Sequence, residues 1–510
     1  DLIAGLQQPR AYAHPVARVE HLQTHISHVL LAGDYAYKVK KPLDLGFLDF
    51  STLEKRRFCC EEELRLNKRL AEDVYLAVVP ITGSPAQPRM GGDGEPLEYA
   101  VKMRRFAQEG LLSVHPVSPE LIDRIADTVA RFHADIAVAA AGSRFGSPEA
   151  VFFPMQQNFD QIRPLLDDKD ALRRLDPLQA WTQATYERLA PLLAQRKAAG
   201  HIRECHGDMH LGNMALTDDK LTIFDGIEFN PDLRWIDTMN EVAFLVMDLE
   251  QAGKTHLALR FLNRYLRLTG DYPGLPLLDF YKVYRALVRA KVTAIRLAQP
   301  GLTPADKAEV LAEYGRYLSL AESCVERPRP RLFITHGVSG SGKSQLARLL
   351  RESVPVIHLR SDVERKRMFG LEAGARSGSD PGGGIYTADA TERTYGRLRE
   401  LAEMILEGGY HALVDATFLE QAQRRPFLDL AAARGCPCVI LVPEAPEAVL
   451  RERVSRRHVA GGDPSEADLA ILASQLASRE PLTGAEERQA VRIDTVNPPS
   501  LEDLIRRLGV

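Results

Sequence analysis

One run of residues, Gly337-Val338-Ser339-Gly340-Ser341-Gly342-Lys343-Ser344, leaves the C-terminal part of this chain little freedom of fold. It fills every fixed position of the pattern GxxxxGK[ST], in which glycines let successive backbone N–H groups converge on phosphate oxygens at a helix N-terminus. That geometry requires a strand before it and a helix after it. Leu332-Phe333-Ile334-Thr335 reads as the short buried strand, and Gln345-Leu346-Ala347-Arg348-Leu349-Leu350 continues as the helix. In this reading Gly337, Ser339, Gly340, Ser341 and Gly342 form the cradle, Lys343 neutralises polyphosphate charge, and Ser344 ligates Mg²⁺.

Two further apolar runs end on carboxylates. Val356-Ile357-His358-Leu359 reads as a strand leading to Arg360-Ser361-Asp362, with Arg365, Lys366 and Arg367 close behind. An aspartate at such a strand end reaches an acceptor hydroxyl, and basic neighbours hold anions; the plainer reading is a helix cap. Ala412-Leu413-Val414-Asp415 is another buried strand, and 451–457 is an arginine-rich helix containing Arg453. Together these features resemble P-loop kinases such as polynucleotide kinases, gluconate kinases, chloramphenicol phosphotransferases and zeta toxins, over most of 331–510. The resemblance implies a parallel-sheet α/β domain with Asp415 as the acid of the metal site. It also makes the arginine helix a lid, with Arg453 on nucleotide phosphate.

A second set of residues lies upstream. His206-Gly207-Asp208-Met209-His210-Leu211-Gly212-Asn213 is followed by the strand-like Leu221-Thr222-Ile223-Phe224 and then Asp225-Gly226. This spacing resembles the HGDxHxxN loop of aminoglycoside phosphotransferases and choline kinases, within the protein-kinase-like superfamily. The resemblance implies that Asp208 takes or orients the acceptor proton, while Asn213 and Asp225 ligate Mg²⁺. Tyr35-Ala36-Tyr37-Lys38 resembles the Val-Ala-Ile-Lys strand of that superfamily; strand alternation puts Ala36 and Lys38 on one face, and the resemblance implies Ala36 against adenine and Lys38 on phosphate. Lys40 shares that face. Of Glu61, Glu62 and Glu63 on the next helix, Glu63 is the favoured ion-pair partner for the lysine. Thr24-His25-Ile26-Ser27 occupies the place of the nucleotide-covering loop but lacks its glycines. Glu228 and Asp237 are candidates for metal support and for bracing the catalytic loop, with a structural role as the alternative for each.

Organisation follows from these landmarks. A chain of 510 residues exceeds one core. The alternating Pro328-Arg329-Pro330-Arg331 reads as an extended connector. The expectation is therefore an N-terminal bilobal kinase-like α+β domain at 1–327 and a P-loop α/β domain at 328–510. Within the first, Val29-Leu30-Leu31-Ala32, a Gly33-Asp34 turn and 35–40 read as a hairpin. A helix from Glu54 to about Leu70, a strand at 98–103 and helical spacing from Pro119 onward come next. The glycine-rich stretches 91–94 and 379–384 read as loops.

An apolar share of 45% and a formal charge of -4 place the chain among ordinary globular proteins and argue against an extensive nucleic-acid footprint. The cysteines form no CxxC pair, and Cys436-Pro437-Cys438 reads as a strand edge rather than a metal grip. The scattered cysteines favour reduced thiols in a cytoplasmic protein over a disulfide framework, and the sequence shows no run of 18 or more apolar residues and no charged-then-apolar segment at its start. The functional expectation is two Mg·ATP-dependent centres, each moving a γ-phosphate to a hydroxyl of a small molecule. Two alternatives stand beside it: one catalytic domain regulated by a nucleotide-sensing one, and a C-terminal centre acting on nucleic-acid ends.

Overall fold

The structure, a computed structural model, describes residues 1–509 apart from 45, 47, 167, 300, 327–328, 376, 379–382 and 461–466, with the side chains of 457–460 also excluded. Arg327 and Pro328 of the connector, the 379–382 part of the glycine-rich stretch and the side chain of Arg457 thus lie outside the described residues. The chain forms two compact units, 1–252 with 284–318, and 253–283 with 319–510.

The first unit opens with a six-stranded antiparallel sheet in the order β1-β2-β3-β6-β4-β5. Its strands are β1 (Val19–Gln23), β2 (Ser27–Ala32), β3 (Tyr35–Lys40), β4 (Tyr75–Ser84), β5 (Gln87–Met90) and β6 (Glu98–Arg104). The expected hairpin is β2–β3, with Ala32 facing Tyr35 across a turn in which Gly33 takes φ +60°. Apolar residues at every second position bury one face around Leu30, Tyr37, Val39, Ile81 and Ala100. Helix Leu53–Ala71, capped by Thr52 on the Lys55 N–H, packs on β4 and β6 through Cys60, Ala71, Tyr75 and Val101. The rest of the unit is mostly helical. Set among its helices are two short ribbons, β7 (Ile202–Glu204) with β10 (Trp235–Asp237), and β8 (Met214–Thr217) with β9 (Lys220–Ile223).

The second unit is built on a five-stranded, all-parallel sheet of β11 (Leu332–Thr335), β12 (Val356–Arg360), β13 (His411–Asp415), β14 (Cys438–Glu444) and β15 (Ala490–Asp494), in the order β12-β13-β11-β14-β15. Helices join the parallel strands, so β11 and β13 are continuous apolar runs buried on both faces. The first strand in sequence is central, which makes its carboxyl end the topological switch point where open α/β sheets bind ligands. Helix Lys343–Ser353 packs Leu346 and Leu350 with Phe333, Leu413 and Leu441. Cys438 begins β14, and Cys436 lies just before it.

Residues 253–283 precede the connector in sequence yet cluster with this unit. Helix Thr255–Thr269 lies against the edge strand β12, where the Asn263 side chain donates to the Val356 carbonyl at 2.9 Å and accepts from the His358 N–H at 2.8 Å. Among the described residues, no helix is long and apolar enough to cross a membrane.

Candidate active sites

In the first unit a cavity of about 1160 Å³ is lined by Ala36 and Lys38 from β3 and by Asp208, Asp225 and Glu228. Strand alternation delivers Ala36 and Lys38 to the same wall. The Lys38 ammonium lies 2.9 Å from Glu63 Oε1 and 2.6 Å from Asp225 Oδ1. Lys40, on the same face, is fully buried and pairs with Glu63 Oε2 at 2.7 Å and with Glu228. Glu63 therefore serves both lysines, but Lys38 is the one on the cavity wall. Burial alone would raise Glu63; the two ammonium groups reverse this and hold it below the usual carboxylate range.

The loop 206–213 is fixed from below. The Asp208 N–H donates to His206 Nδ1 at 3.3 Å, and His206 Nε2 is 2.9 Å from the Phe224 carbonyl, so the proton sits on Nε2. Burial lowers the His206 pKa and keeps the ring neutral. Asn213 Nδ2 donates to both the Asp208 carbonyl and Oδ2 at 2.9 Å, so the side-chain Oδ1 is the Asn213 atom with lone pairs to offer a cation. His210 Nε2 lies 3.5 Å from Asp208 Oδ2. Burial would raise Asp208, but His210 opposes it and holds the carboxyl well below its ordinary value, so it is ionised at neutral pH.

Asp225 takes φ +63°, a left-handed conformation uncommon for a residue with a Cβ. Its N–H donates to Tyr75 Oη at 3.2 Å, and the next N–H, of Gly226, donates to Asn67 Oδ1 at 2.8 Å. These bonds turn the Asp225 carboxylate, nearly half exposed, toward Lys38. Thr24, His25 and Ile26 line the cavity from the β1–β2 turn, which is closed by the Thr24 N–H on the Ser27 carbonyl at 2.9 Å.

Several residues that hold this loop escape sequence reasoning. The Gly207 N–H donates to Glu241 Oε1 at 2.6 Å, while Glu241 Oε2 meets His133 Nε2 at 2.9 Å. The Leu211 N–H donates to Asp248 Oδ2 at 2.8 Å, and Arg285 donates to the Gly207 carbonyl at 3.0 Å. Helix Thr238–Gln251 carries the only available signal, a glutamate buried inside an otherwise apolar run. Asp237 caps that helix on the Met239 N–H and makes a buried two-pronged pair with Arg196, both contacts at 2.7 Å. His133, Cys205 and Glu241 lie close enough together to hold a metal, but each donates or accepts within the fold, Cys205 Sγ toward the Ile236 carbonyl.

In the second unit the strand ends converge. Parallel register sets Arg360 beside Asp415 and Ile334 beside Val414. Gly340 and Gly342 take φ +81° and +102°, and a Cβ on Gly340 would meet the Leu450 carbonyl at 2.8 Å, so this turn demands glycine. Lys343 Nζ donates to the Val338 carbonyl at 2.9 Å, and Ser344 Oγ donates to Asp415 Oδ2 at 2.8 Å. His358 Nε2 stands 3.4 Å from the same carboxylate oxygen. Burial pushes Asp415 up, but the His358 hydrogen bond together with the charges of Arg360 and Lys343 brings the carboxyl down to about 2.

Asp362 is the second residue of helix Ser361–Met368, whose capping position is held by Arg360, so it does not cap that helix. Burial raises its pKa, against the pull of Arg360 and Lys343. The neighbouring cations are engaged in the fold, Arg365 on the Ile385 carbonyl at 2.9 Å and Lys366 on the Ala375 carbonyl at 2.7 Å. Arg453 donates to Thr495 Oγ1 and the Thr495 carbonyl, each at 2.9 Å, and to the Gly340 carbonyl at 3.3 Å, which places it against the phosphate loop. Arg451 and Arg456 pair with Glu447 and Glu452 on the helix surface. Gly337, Ser339 and Ser341 complete the loop. The Ser339 N–H donates to Gln475 Oε1 at 2.7 Å, and Ser341 Oγ is buried without a partner.

A lysine–glutamate–aspartate cluster beside the 206–213 loop, joined in one chain to a glycine-rich GxxxxGKS loop on a parallel sheet, goes with two family matches that make the chain a phosphotransferase enzyme of the kinase kind. Residues 60–281 match the Phosphotransferase enzyme family, and residues 332–482 match an AAA domain. Over 500 residues the chain is 32% identical to Uncharacterized protein Rv2004c of Mycobacterium tuberculosis (strain ATCC 25618 / H37Rv), covering 95% of each. Identity and coverage are the same for Uncharacterized protein Mb2027c of Mycobacterium bovis (strain ATCC BAA-935 / AF2122/97). The chain belongs to the family of these proteins, and it joins an aminoglycoside phosphotransferase-like domain to a P-loop kinase-like domain. Among solved structures it is similar to an ethanolamine kinase of Plasmodium vivax, at 9% identity over 61% of this chain and 82% of that one, with a TM-score of 0.38. A gluconokinase of Sinorhizobium meliloti 1021 matches at 22% identity over 36% of this chain and 91% of that one, with a TM-score of 0.25.

Proposed function

We propose that the chain is bifunctional, each centre transferring the γ-phosphoryl group of Mg·ATP to a hydroxyl of a small molecule, with 1–327 and 328–510 carrying the two catalytic sets. The observation that carries this reading is the Lys38 ammonium bridging Glu63 and Asp225 on the wall of the cavity that also holds Asp208. It is matched in the second unit by Ser344 on Asp415 beside Lys343. Asn213 with Asp225, and Ser344 with Asp415, offer the hard oxygen donors that suit Mg²⁺, which when bound neutralises phosphate charge.

In the first centre Asp208, ionised and held by Asn213, accepts the proton of the acceptor hydroxyl. Lys38, steadied by Glu63, holds nucleotide phosphate. In the second, Asp362 takes the corresponding proton, aided by the burial that raises its proton affinity. Lys343 and the amides of 339–344 hold phosphate, and Arg453 stiffens the loop from behind. The net charge of -4 and the engagement of Arg365 and Lys366 within the fold favour small acceptors over nucleic-acid ends. One contact favours the regulatory reading of the second centre: the Gln475 side chain already occupies the Ser339 amide of the cradle.

The test uses the full chain. With Lys343→Ala silencing the second centre, adding Asp208→Asn lowers transfer to alcohols by about 10²- to 10⁴-fold while nucleotide still binds. In an Asp208→Asn background, Asp362→Ala stops the remaining transfer. Undiminished turnover in either double variant removes the corresponding aspartate from its role.

A further inference from the structure

Beyond the Lys38 cluster, the lining of the first cavity carries a charge pattern to which the proposed transfer assigns no role. Helix Leu278–Leu297 brings Arg285, Arg289 and Lys291 to it, and helix Pro148–Ile162 brings Asn158 and Asp160. The bonds of the three cations go to neutral acceptors. Arg285 donates to Asn240 Oδ1 at 2.7 Å, Arg289 to Tyr317 Oη at 3.2 Å and Lys291 to Gln161 Oε1 at 3.1 Å. Burial pushes the Lys291 ammonium down with no carboxylate to offset it, whereas Arg289 also feels Asp208 and Asp248 through space. Asn158 is only 1% exposed, and its amide nitrogen has no hydrogen-bond partner. The carboxylates Asp208, Asp225 and Glu228 line the cavity from other elements; on these two helices the carboxylate that reaches it is Asp160, which is exposed. An ammonium-bearing acceptor would find donors and cations here, whereas a group with only acceptor atoms would satisfy them.

We propose that the acceptor of the first centre is a hydroxyl-bearing organic anion, its carboxylate or phosphate held by Lys291, Arg289 and the Asn158 amide. This rests on the transfer reading above. The acceptor oxygen forms a bond to the γ-phosphorus as the bond to the ADP oxygen breaks, its proton passes to Asp208, and ADP leaves with the electron pair. The acidic group of the acceptor stays unchanged and fixes which hydroxyl faces Asp208.

The experiment takes the full chain carrying Lys343→Ala, labelled ATP and size-matched alcohols in four arms: hydroxy carboxylates, sugar phosphates, neutral polyols and amino alcohols. The expected result is label in an anionic arm, with kcat/KM at least about tenfold above the amino alcohols; which anionic arm responds identifies the acidic group. Lys291→Gln then raises KM for that anion by about 10- to 100-fold and leaves kcat and nucleotide affinity in place. Preference for amino alcohols or polyols, or an unchanged KM in Lys291→Gln, overturns the proposal. If no arm is labelled, the melting temperature with ADP present decides between the two readings. An anion that raises it in the parent but not in Lys291→Gln sustains the anion site and leaves only the transfer reading overturned; no such difference overturns the proposal as well.

Discussion

Glu241 holds the 206–213 loop without lining the cavity beside it. Its two oxygens tie the Gly207 N–H to His133. Burial would raise its pKa; His133 and the Gly207 amide outweigh this and bring it down to about 2 from an ordinary value of 4.5. A carboxylate depressed in the folded state adds stability that is fully present above its unfolded pKa and lost as pH falls through the folded one. The charge of Glu241 therefore supports the first unit above about pH 4.5, and that support fades on the way to pH 2. Glu241→Gln keeps the shape and removes the charge, so its melting temperature falls below that of the parent at neutral pH, and the two curves converge as pH drops below 4.5. A constant gap across that range would mean that packing rather than ionisation is at stake. None of this is visible in the sequence, where Glu241 is one acid in a helix. Lys38 and Glu63, by contrast, were legible because strand alternation and a following glutamate leave few pairings; only the three-dimensional packing separates Lys38 on the cavity wall from Lys40 beneath it.

Among the elements, those with a strong period or punctuation were readable. The β2–β3 hairpin has its Gly33 turn, and β11 has the phosphate loop to fix its direction. Less was written in β4, where Pro80 and Gly83 interrupt the strand pattern, or in the brief β15, which owes its place to β14. In sequence the aspartate after β12 reads as either site residue or cap, and the start of the helix at Ser361 sets the cap aside. β12 itself is an edge strand completed by a side chain, since Asn263 offers its amide to Val356 and His358 as a neighbouring strand would. Asn263→Leu leaves a buried carbonyl and N–H unpaired, each costing about 1–3 kcal/mol. The expected outcomes are faster hydrogen exchange at the His358 amide and weaker acceptor turnover at the second centre, because Asp362 follows directly from this strand. Unaltered protection at His358 would show that the edge does not need Asn263.

At the level of the whole molecule, the proposed pair of centres implies two nucleotides per chain. Calorimetric titration is expected to count both. Lys343→Ala removes one and Lys38→Ala weakens the other. A single site, lost entirely in Lys343→Ala, would make the kinase-like half a scaffold, and affinities that shift together in both variants would favour the regulatory reading. The two compact units are not two consecutive pieces of chain. Residues 253–283, with Leu257, Phe261, Tyr265 and Leu275 buried, belong with 319–510, and 284–318 returns to the first unit. During synthesis this sets an order of events. The apolar face of helix Thr255–Thr269 leaves the ribosome long before the sheet it will cover, and at about 5–20 residues per second it waits roughly 10 to 40 s for Val510 to be added. Leu257, Phe261 and Tyr265 thus stay without their final partners in the second unit through much of translation.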